Sequence, residues 1–549
     1  MRNFIINKED QGMSVFDFFS KQELDFVPIA FSINNSLVPH DTIIKENDLV
    51  ESYSQTHKIG YNVYKDSLEF LLTYVVKSLI PKGNFELSHM ISKSIYGHFR
   101  NGMLMTSDDV SRIKARMKSL IKAGLPLKIT RMSRKEAIEV FKKKGIHNEK
   151  FQYGDKFPEE VPMYSVGDDI SFMDYYYSPL VPSTKYLETF DLQHFMPGVL
   201  LRLAKRNNPS KLFQFNEQPK IFDMIEETNR IANILELSYI TSLNRQIKEG
   251  RSKEMILIGE ALQEQKIAQI ARHISTNSHK YQLIMISGPS SSGKTTFSKK
   301  MKVSLMAHGH KPILMSLDDF YLDRDDTPLD EEGKPDFESI HSIDIELFQD
   351  TLTRLINGEE VETPKFNFKT GLREHTGQKI KKDRKSPIII EGIHGMNPIL
   401  TSKVPRHMKY IVYVTAFTPL NLDPSKHIKT ADARILRRIV RDDRFRSLDI
   451  EKTFSLWPSV RKGEEHNIFS YQELADIHFN SSLPHELNVL KVYAEPLLKQ
   501  VKQDSKYFID AQNLLNILNY CEPLDAIWVP SNSILREFIG QGIMGGLDV

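Results

Sequence analysis

The sequence predicts an α/β protein whose C-terminal half is a doubly wound parallel sheet. From about residue 281, the apolar runs "YQLIMIS", "KPILMSL", "SPIIIEGI" and "MKYIVYVTAF" alternate with helical stretches. This rhythm is typical of parallel strands covered by helices on both faces. The first run leads into "GPSSSGKTT", a glycine- and serine-rich turn that opens a helix. Because 549 residues are enough for several domains, further domains are expected ahead of this sheet.

Composition excludes several classes of protein. The net charge of +2 with 26% charged residues demands neither nucleic acid nor an anionic membrane, although a local basic patch stays open. The single cysteine, Cys521, rules out a disulfide scaffold or a thiolate metal site and fits a reducing compartment. The N-terminus lacks the apolar core of a signal peptide, and the longest apolar runs are too short to span a bilayer. We therefore expect a soluble cytoplasmic protein with no membrane partner.

The first segment predicts a small sheet with one helix. "SVFDFFSKQ" indicates the helix, "VPIAFSI" a strand, "NNS" a turn and "DTIIKENDLVESY" an extended return.

The second segment predicts a mixture of helices and strands. One helix starts at Ser107, has two acids in its first turn and ends at Gly124. A second helix has Ser133 and Glu136 at capping-box spacing and ends at Gly145. The stretch "MDYYYSPLVPSTKYLETFDL" then favours strands.

Helical patterns flank the parallel sheet on both sides along the chain. "IFDMIEETNRIANILELSYITSLNRQI" and "MILIGEALQEQKIAQIARHI" carry apolar residues at helical spacing and predict a connector that packs through them. Near the C-terminus, the stretch from "SLWPSVRKG" through "VYAEPLL" predicts a helical cover on the sheet.

The glycine-rich turn is the strongest local signal for function, because an apolar strand precedes it and a helix follows it. Glycines let backbone amides point at phosphate oxygens. Lys294 can neutralise the outer phosphates of a nucleotide, and the Thr295 hydroxyl can bind magnesium. The predicted nucleotide-binding residues are Gly288, Pro289, Ser290, Ser291, Ser292, Gly293, Lys294, Thr295 and Thr296.

Acidic residues follow two further strands of the predicted sheet. "ILMSL" runs into Asp318 and Asp319, and "SPIII" runs into Glu391. The carboxyl ends of parallel strands meet at one edge, where such sheets bind ligands. An acid there can accept a proton from a substrate hydroxyl or hold magnesium, although two acids at a strand end can equally cap a helix or turn. Together with the glycine-rich turn, these strand ends predict a phosphoryl-transfer centre.

The stretch "DARILRRIVRDDRFRS" supplies six arginines. A solvated helix face or structural ion pairs would account for many of them. A phosphoryl-transfer enzyme also needs mobile cations that close over the phosphates and exclude water. Arg441, Arg444 and Arg446, at the helix end and just beyond it, are the predicted lid residues.

Residues from about 281 to 508 resemble the uridine kinase and phosphoribulokinase family. The matching stretches are "GPSSSGKTTF", "SLDDFYLDRDDTP", "DFESIHSIDIELF", "GEEVETPKFNF", "IIIEGIHGMNP" and "RILRRIVRDDRFR", in the family's order. The resemblance implies a nucleoside-kinase-like core that uses ATP and Mg²⁺. It places Asp318 at the catalytic acid and Glu391 at the strand-end metal-site glutamate, so that Thr295, Glu391 and Asp318 are the metal-site candidates. The lid arginines match the family in type and spacing.

The acceptor pocket departs from the family. The resemblance puts Glu338 where the family has an acid for the ribose hydroxyls. Phe366 stands where a tyrosine helps to hold the pyrimidine, and Gly371 stands where a histidine does. Tyr321 and Arg373 complete the predicted substrate-binding residues. Because a site that reads a base through hydrogen bonds discriminates strongly, the loss of these donors leaves the base preference open.

The preceding segments resemble a small β-grasp domain of the TGS type and the second additional domain of threonyl-tRNA synthetase. In the synthetase, that second domain removes misattached amino acids with a His-x-x-x-His pair, a cysteine and a further histidine. Here Phe70 and Tyr74 take the place of the histidine pair, so a retained scaffold without editing activity is implied. The predicted domains are 1–55 (TGS-like), 56–215 (synthetase-editing-like, α+β), 216–278 (helical connector) and 279–549 (uridine kinase-like, with a helical cover).

We therefore predict an ATP-dependent kinase that phosphorylates a nucleoside 5′-hydroxyl, of the uridine or cytidine kinase kind, in pyrimidine salvage. A kinase for a non-nucleoside sugar or sugar phosphate stays open, because the base pocket is altered. An RNA- or translation-associated protein with a regulatory nucleotide site also stays open, although the near-zero net charge does not favour nucleic acid. The expected partner is a small nucleoside-like molecule, and a homo-oligomer is compatible with the sequence.

Overall fold

The computed structural model describes residues 1–144, 158–237, 239–331, 333–368, 370–418 and 420–545. Its first region is a four-stranded sheet in the order β1-β4-β2-β3 with one helix packed on it. The elements are β1 (Arg2–Ile5), α1 (Val15–Ser20), β2 (Ala30–Ile33), β3 (Ser36–Val38) and β4 (Leu49–Tyr53). The left-handed residues Asn34 and Asn35, at φ 49° and 59°, form the predicted turn between β2 and β3. The predicted small sheet with one helix is confirmed.

The second region combines a long central helix with two antiparallel sheets. Its elements are α2 (Lys58–Leu79), β5 (Phe85–Ile91), β6 (Ser94–Phe99), α3 (Ser107–Ala123), β7 (Leu127–Ser133), α4 (Arg134–Lys144), β8 (Glu160–Val166), β9 (Asp169–Tyr175), β10 (Phe190–Phe195), β11 (Gly198–Lys205) and β12 (Asn208–Leu212). One sheet has the order β10-β11-β6-β5, with β12 paired to β11, and the other has the order β7-β8-β9.

Both predicted helices of this region are confirmed at their starts. Thr106 caps α3 in a capping box, and Gly124 ends α3 at φ +62°. The Ser133 amide and hydroxyl both donate to Glu136 at 2.8 Å at the start of α4. The predicted end of α4 at Gly145 lies outside the described residues.

The connector is helical, as predicted, but it is broken into three helices. These are α5 (Pro219–Ile234), α6 (Ile240–Lys248) and α7 (Ser252–Thr276). The apolar side chains that predicted them lie inside, including Ile225, Leu243 and Ile256.

The C-terminal region contains the predicted parallel sheet. Its elements are β13 (Leu283–Ser287), α8 (Lys294–Ala307), β14 (Ile313–Ser316), α9 (Ile345–Ile356), β15 (Glu360–Asn367), β16 (Leu372–Lys381), β17 (Ile388–Glu391), β18 (Lys409–Thr415), α10 (Thr430–Arg446), α11 (Ile450–Asn467), β19 (Ile477–Asn480), α12 (Glu486–Leu498), α13 (Phe508–Asn519) and α14 (Arg536–Ile539). The five parallel strands run in the order β14-β17-β13-β18-β19, and β15 and β16 form a separate hairpin.

The prediction of an entirely helical cover is wrong at β19. This strand pairs in parallel with β18, from Ile477 opposite Val412 to Asn480 opposite Thr415. It is four residues long and contains His478 and Asn480, so it has too little apolar periodicity to be recognised. Its place at the sheet edge is set by pairing with β18.

The front of the chain packs against the C-terminal helices in one continuous apolar cluster. The hydroxyls of Tyr175 and Tyr520 lie 3.4 Å apart. The Leu87 amide donates to the Pro424 carbonyl, 2.8 Å away, in the loop that precedes α10. Among the described helices, none has the length and apolar character needed to cross a membrane.

Candidate active site

The order of the parallel strands brings the predicted acids to the glycine-rich turn. β17 lies between β13 and β14, and Glu391 at its end stands opposite Ile286 on one side and Ser316 on the other. The loop from Gly288 follows β13, and Asp318 follows β14. The three carboxyl ends therefore form one edge of the sheet, as the sequence predicts.

Two glycines let the turn pack closely against its surroundings. A Cβ on Gly288 would lie 1.9 Å from the Val414 carbonyl oxygen. Gly293 has φ +83°, and a Cβ there would lie 2.5 Å from a methyl group of Ile534. α8 begins at the next residue, so the amides of its first turn lie at the end of the loop and have no carbonyl partner within the helix. The local backbone thus has the form that binds phosphate at a helix start.

The buried Lys294 side chain lies inside this loop. Its Nζ donates to the Pro289 carbonyl oxygen at 3.1 Å. Burial lowers the pKa of Lys294, while the negative charges of Glu391 and Asp318 oppose that shift. The ammonium group is therefore held between the loop and both strand-end acids.

An oxygen cluster surrounds Glu391. The Thr295 hydroxyl donates to Glu391 Oε1 at 3.4 Å, and the Ser316 hydroxyl donates to the same oxygen at 3.2 Å. Burial, together with the negative charge of Asp318, raises the pKa of Glu391 to about 7. Hydroxyl and carboxylate oxygens are the ligands that a hard cation such as Mg²⁺ prefers, so these residues fit such an ion.

The two neighbouring acids after β14 have different surroundings. Asp319 lies 3.2 Å from Lys365 Nζ and accepts a 3.4 Å hydrogen bond from the Phe366 amide, so it anchors the β15–β16 hairpin. Asp318 instead lies in the field of Lys294, which opposes the rise that burial causes in the pKa of Asp318. The structure therefore brings Asp318 to the loop and Asp319 to the hairpin.

Three arginines on the buried face of α10 form the structural ion pairs that the sequence analysis allowed, with Glu464, Glu486 and Asp442, and they also touch the loop, a contact that sequence reasoning missed. Arg434 Nε donates to the Ser290 carbonyl at 2.9 Å, and Arg437 Nη1 donates to the Ser291 carbonyl at 3.2 Å. Arg438 Nη1 donates to the Ser290 hydroxyl at 3.0 Å. Their i, i+3, i+4 spacing places them on one helix face, and this is the signal that would have found them.

The predicted lid arginines separate into two groups. Arg441 and Arg446 both pair with Asp442, at 2.9 Å and 3.7 Å, and their positive charge opposes the rise in the pKa of Asp318. Arg444 lies over the Tyr493 ring, 5.1 Å from its centroid. The first two therefore act on the site through their charge, and the third lies against α12.

Aromatic rings and a carboxyl group line the expected acceptor side. The rings of Tyr321 and Phe366 lie 5.7 Å apart, and the Tyr321 hydroxyl donates to the Phe337 carbonyl at 3.3 Å. Burial, reinforced by the negative charge of Glu464, raises the pKa of Glu338 to about 7. Lys294 and Asp318 also act on this carboxyl, so Glu338 belongs to the same cluster.

Two other positions expected on the acceptor side have structural contacts. Arg373 pairs with Asp344 at 2.7 Å, and Asp344 also caps α9. Gly371 has φ +77°, and a Cβ there would lie 2.7 Å from Arg324 Nε. A guanidinium group therefore fills the place where the resemblance predicts a base-binding histidine.

The front region has apolar and hydroxyl contacts at the two positions where the resemblance predicts the histidine pair of the synthetase. The Phe70 ring lies 6.0 Å from the Tyr176 ring, and the Tyr74 hydroxyl donates to Asp169 at 2.7 Å. Within the residues that the structure describes, no group of three or more His, Cys, Asp or Glu side chains could hold a metal ion.

Comparison with known proteins separates the two parts of the chain. Residues 283–486 match the model of the Phosphoribulokinase / Uridine kinase family. The N-terminal region is similar to threonine–tRNA ligases, with 31% identity over 163 residues to that of Carboxydothermus hydrogenoformans and 29% over 166 residues to that of Marinobacter nauticus. These matches cover 29% and 30% of this chain, and they span about a quarter (25%) of the length of each relative.

Two solved structures are similar at low identity. One is a putative fructose transport system kinase from Silicibacter sp. TM1040, at 18% identity and a TM-score of 0.29, covering 39% of this chain and 98% of that one. The other is a possible uridine kinase from Bacillus stearothermophilus, at 16% identity and a TM-score of 0.26, covering 37% and 89%. The predicted resemblances are confirmed: the chain joins a C-terminal region of the phosphoribulokinase/uridine kinase type to an N-terminal region similar to part of the threonine–tRNA ligases.

Proposed function

We propose that the protein transfers the γ-phosphate of ATP to the 5′-hydroxyl of a nucleoside. The observation that carries this proposal is the meeting of Lys294, Thr295, Asp318 and Glu391 at one edge of the sheet. The charges of this cluster act on one another, and the glycine-rich loop lies beside it. A phosphoryl-transfer site needs this combination of a phosphate cradle, a cation and an acid.

The loop from Gly288 to Thr296 would hold the nucleotide phosphates through its backbone amides. Thr295, Glu391 and Asp318 would hold Mg²⁺, which when bound neutralises phosphate charge. Lys294 would stabilise negative charge on the transferring group, together with arginines from α10.

Asp318 is the proposed base. The acceptor hydroxyl oxygen forms a bond to the γ-phosphorus, the bond from that phosphorus to the bridging oxygen of ADP breaks, and the hydroxyl proton passes to Asp318. The positive charge of Arg441 and Arg446 acts on this acid, and these two residues are proposed to close over the site.

Glu338 is proposed to accept hydrogen bonds from the acceptor's ribose hydroxyls, and Phe366 to stack on its base. A carboxylate whose hydroxyl partner is missing stays unsatisfied, at a cost of about 1–3 kcal/mol. A base held mainly by stacking is exchanged at small cost. The pocket should therefore discriminate between sugars more strongly than between bases.

A phosphorylated sugar is the second candidate acceptor, and Arg324 favours it. The guanidinium group of Arg324 stands against Gly371 and donates to the Phe368 carbonyl at 3.3 Å. A cation at this point suits an anionic acceptor better than an uncharged pyrimidine.

A transfer assay with γ-labelled ATP tests both candidates. The acceptors are uridine, cytidine, deoxyuridine and a panel of sugar phosphates, with Lys294→Ala as the inactive control. We expect uridine and cytidine to be labelled with similar kcat/KM and deoxyuridine to be labelled less. Glu338→Gln should narrow the difference between uridine and deoxyuridine. Labelling of sugar phosphates alone would replace the first candidate by the second, and cytidine rejected more than about a hundredfold would refute the stacking role of Phe366.

A further inference from the structure

The C-terminal segment from Ala526 to Gly545, called here the tail segment, reaches the first turn of α8. The backbone amide of Thr296 donates to Glu537 Oε2 at 3.0 Å, and the Thr296 hydroxyl donates to the same oxygen at 2.8 Å. Glu537 lies on α14 in the tail segment. One carboxylate oxygen thus takes both polar groups that Thr296 offers at the end of the glycine-rich loop.

These two donors belong to the part of the loop that a phosphate would use. Thr296 is the third residue of α8, and the amides of a first helical turn have no partner within the helix. Such amides and the positive end of the helix dipole favour an anion. The negative charge of Glu537 also acts on Lys294. In this structure a side chain of the protein therefore supplies the negative charge that the site attracts.

The tail segment is seated firmly beside the loop. Ile534 is fully buried, and a Cβ on Gly293 would touch its methyl group. Phe538 is also fully buried and lies under the guanidinium group of Arg437, 4.9 Å from it. Ile534 and Phe538 flank Glu537 in sequence, so their burial fixes the position of the Glu537 carboxylate against Thr296.

We propose that Glu537 is an autoinhibitory carboxylate that occupies part of the phosphate site and that ATP must displace. The inference rests on the proposed function, because it takes the loop to be an ATP site. The Thr296 N–H and O–H cannot serve a phosphate fully while they serve Glu537. If the Glu537 carboxylate stayed in place, it would repel the incoming phosphates and would partly neutralise the positive charge of Lys294. Nucleotide binding and release of Glu537 are therefore coupled.

A purely structural helix cap would behave differently from an inhibitory group. Loss of a cap lowers stability and leaves ligand affinity unchanged or weaker. Loss of an inhibitory carboxylate raises ligand affinity. Glu537→Gln separates the two, because it keeps the size and an acceptor oxygen of the side chain and removes only its charge.

Calorimetric titration of the full chain with ATP and Mg²⁺ tests the proposal. The variants are Glu537→Gln and Asp504→Asn, which removes an exposed negative charge elsewhere in the C-terminal region. We expect Glu537→Gln to bind ATP about tenfold more tightly than the wild type, a typical coupling between two exclusive ligands. Asp504→Asn should bind like the wild type.

The outcomes distinguish this inference from the proposed function. If the wild type binds ATP in a Lys294-dependent way and Glu537→Gln binds it equally or less tightly, the inhibitory role is refuted and the ATP site stands. If neither protein binds ATP, both proposals fail.

Hydrogen exchange of the wild type gives a second test that needs no variant. Amides of the tail segment should exchange faster when ATP and Mg²⁺ are bound, because Glu537 has left Thr296. Unchanged or slower exchange in the presence of bound ATP would overturn the proposal.

Discussion

Two of the buried clusters of charged side chains differ in how well their charges are matched, and this difference separates a structural role from a chemical one. In the first, called here the front cluster, Lys426 Nζ from the loop before α10 lies 2.8 Å from Asp66 on α2, and Lys65 Nζ lies 3.3 Å from Glu69. Burial alone would raise the pKa of Asp66, but Lys426 and Lys65 outweigh it and hold that pKa below its ordinary value. Each acid in this cluster is matched by a cation.

In the cluster beside the glycine-rich loop, the pKa values are shifted in the opposite direction. The pKa values of Glu391 and Glu338 are raised to about 7, and the pKa of Lys294 is lowered. Burial disfavours the charged forms of these groups. Such perturbed pKa values are typical of a site that binds a charged ligand. We therefore interpret the matched cluster as a structural link between two regions of the protein and the mismatched cluster as part of the proposed active site.

The largest expected effect comes from removing Lys294. Lys294→Ala takes away a cation that acts on both Asp318 and Glu391, so ATP binding should weaken and kcat should fall by about a hundredfold or more. Steady-state phosphate transfer and ATP titration measure the two effects. The control is Lys311→Ala, which removes an exposed lysine just before β14 and should leave both unchanged. Equal turnover in Lys294→Ala and Lys311→Ala would contradict the assignment.

Breaking the front cluster should affect stability. Lys426→Met leaves the Asp66 charge buried with one fewer cation, which costs about 3 kcal/mol, and the midpoint of thermal unfolding should fall by several degrees. Lys462→Met is the matched control, because its pair with Glu331 is exposed, at 59% and 89% of the two side chains. Such a surface pair contributes about 1 kcal/mol or less. A similar midpoint in both variants would show that the front cluster is not structural.

The raised pKa of Glu338 predicts a pH dependence with a defined sign. As pH rises from the ordinary value of 4.5 to about 7, the unfolded chain loses this proton while the folded protein keeps it. The free energy of unfolding should therefore decrease across that range and level off above it. Glu338→Gln should remove this part of the slope, and Glu188→Gln, at an exposed position, should keep it. Thermal midpoints measured from pH 4.5 to about 8 provide the check, and an unchanged slope in Glu338→Gln would refute the assignment.

The last prediction is that the front region has no editing activity. Phe70 packs and Tyr74 hydrogen-bonds at the positions where the resemblance to the synthetase predicts a histidine pair. Purified protein should therefore contain no stoichiometric zinc and should not hydrolyse mischarged transfer RNA. Elemental analysis and release of labelled amino acid measure both. Deacylation above the rate in buffer would overturn the interpretation of this region as a scaffold.

Local patterns predicted most of the parallel sheet and the centre of the site. The loop before α8, Asp318 and Glu391 follow apolar strands directly, so strand order alone brings them together. β19 was missed because its place depends on pairing with β18. The contact of Glu537 with the loop was missed for the same kind of reason, since it joins residues 241 positions apart.

Residue type alone also did not predict the role of each charged side chain. Residue type does not separate Asp318 from Asp319, and only the family resemblance selected Asp318; the structure shows that Asp319 anchors the hairpin through Lys365. Arg373 has the charge expected of a substrate-binding residue, but the structure pairs it with Asp344. The role of a charged side chain depends on which helix or strand packs against it, and no local sequence pattern encodes that packing.

A comparison of Asp318→Asn with Asp319→Asn tests the central claim most directly, because these neighbouring acids differ in surroundings and not in type. The measurement is kcat for phosphate transfer with saturating ATP and the preferred acceptor. Loss of the base should lower kcat by about a hundredfold or more in Asp318→Asn and spare ATP binding, whereas Asp319→Asn should lose about tenfold or less. Near-wild-type turnover in Asp318→Asn, or equal losses in both variants, would contradict the account.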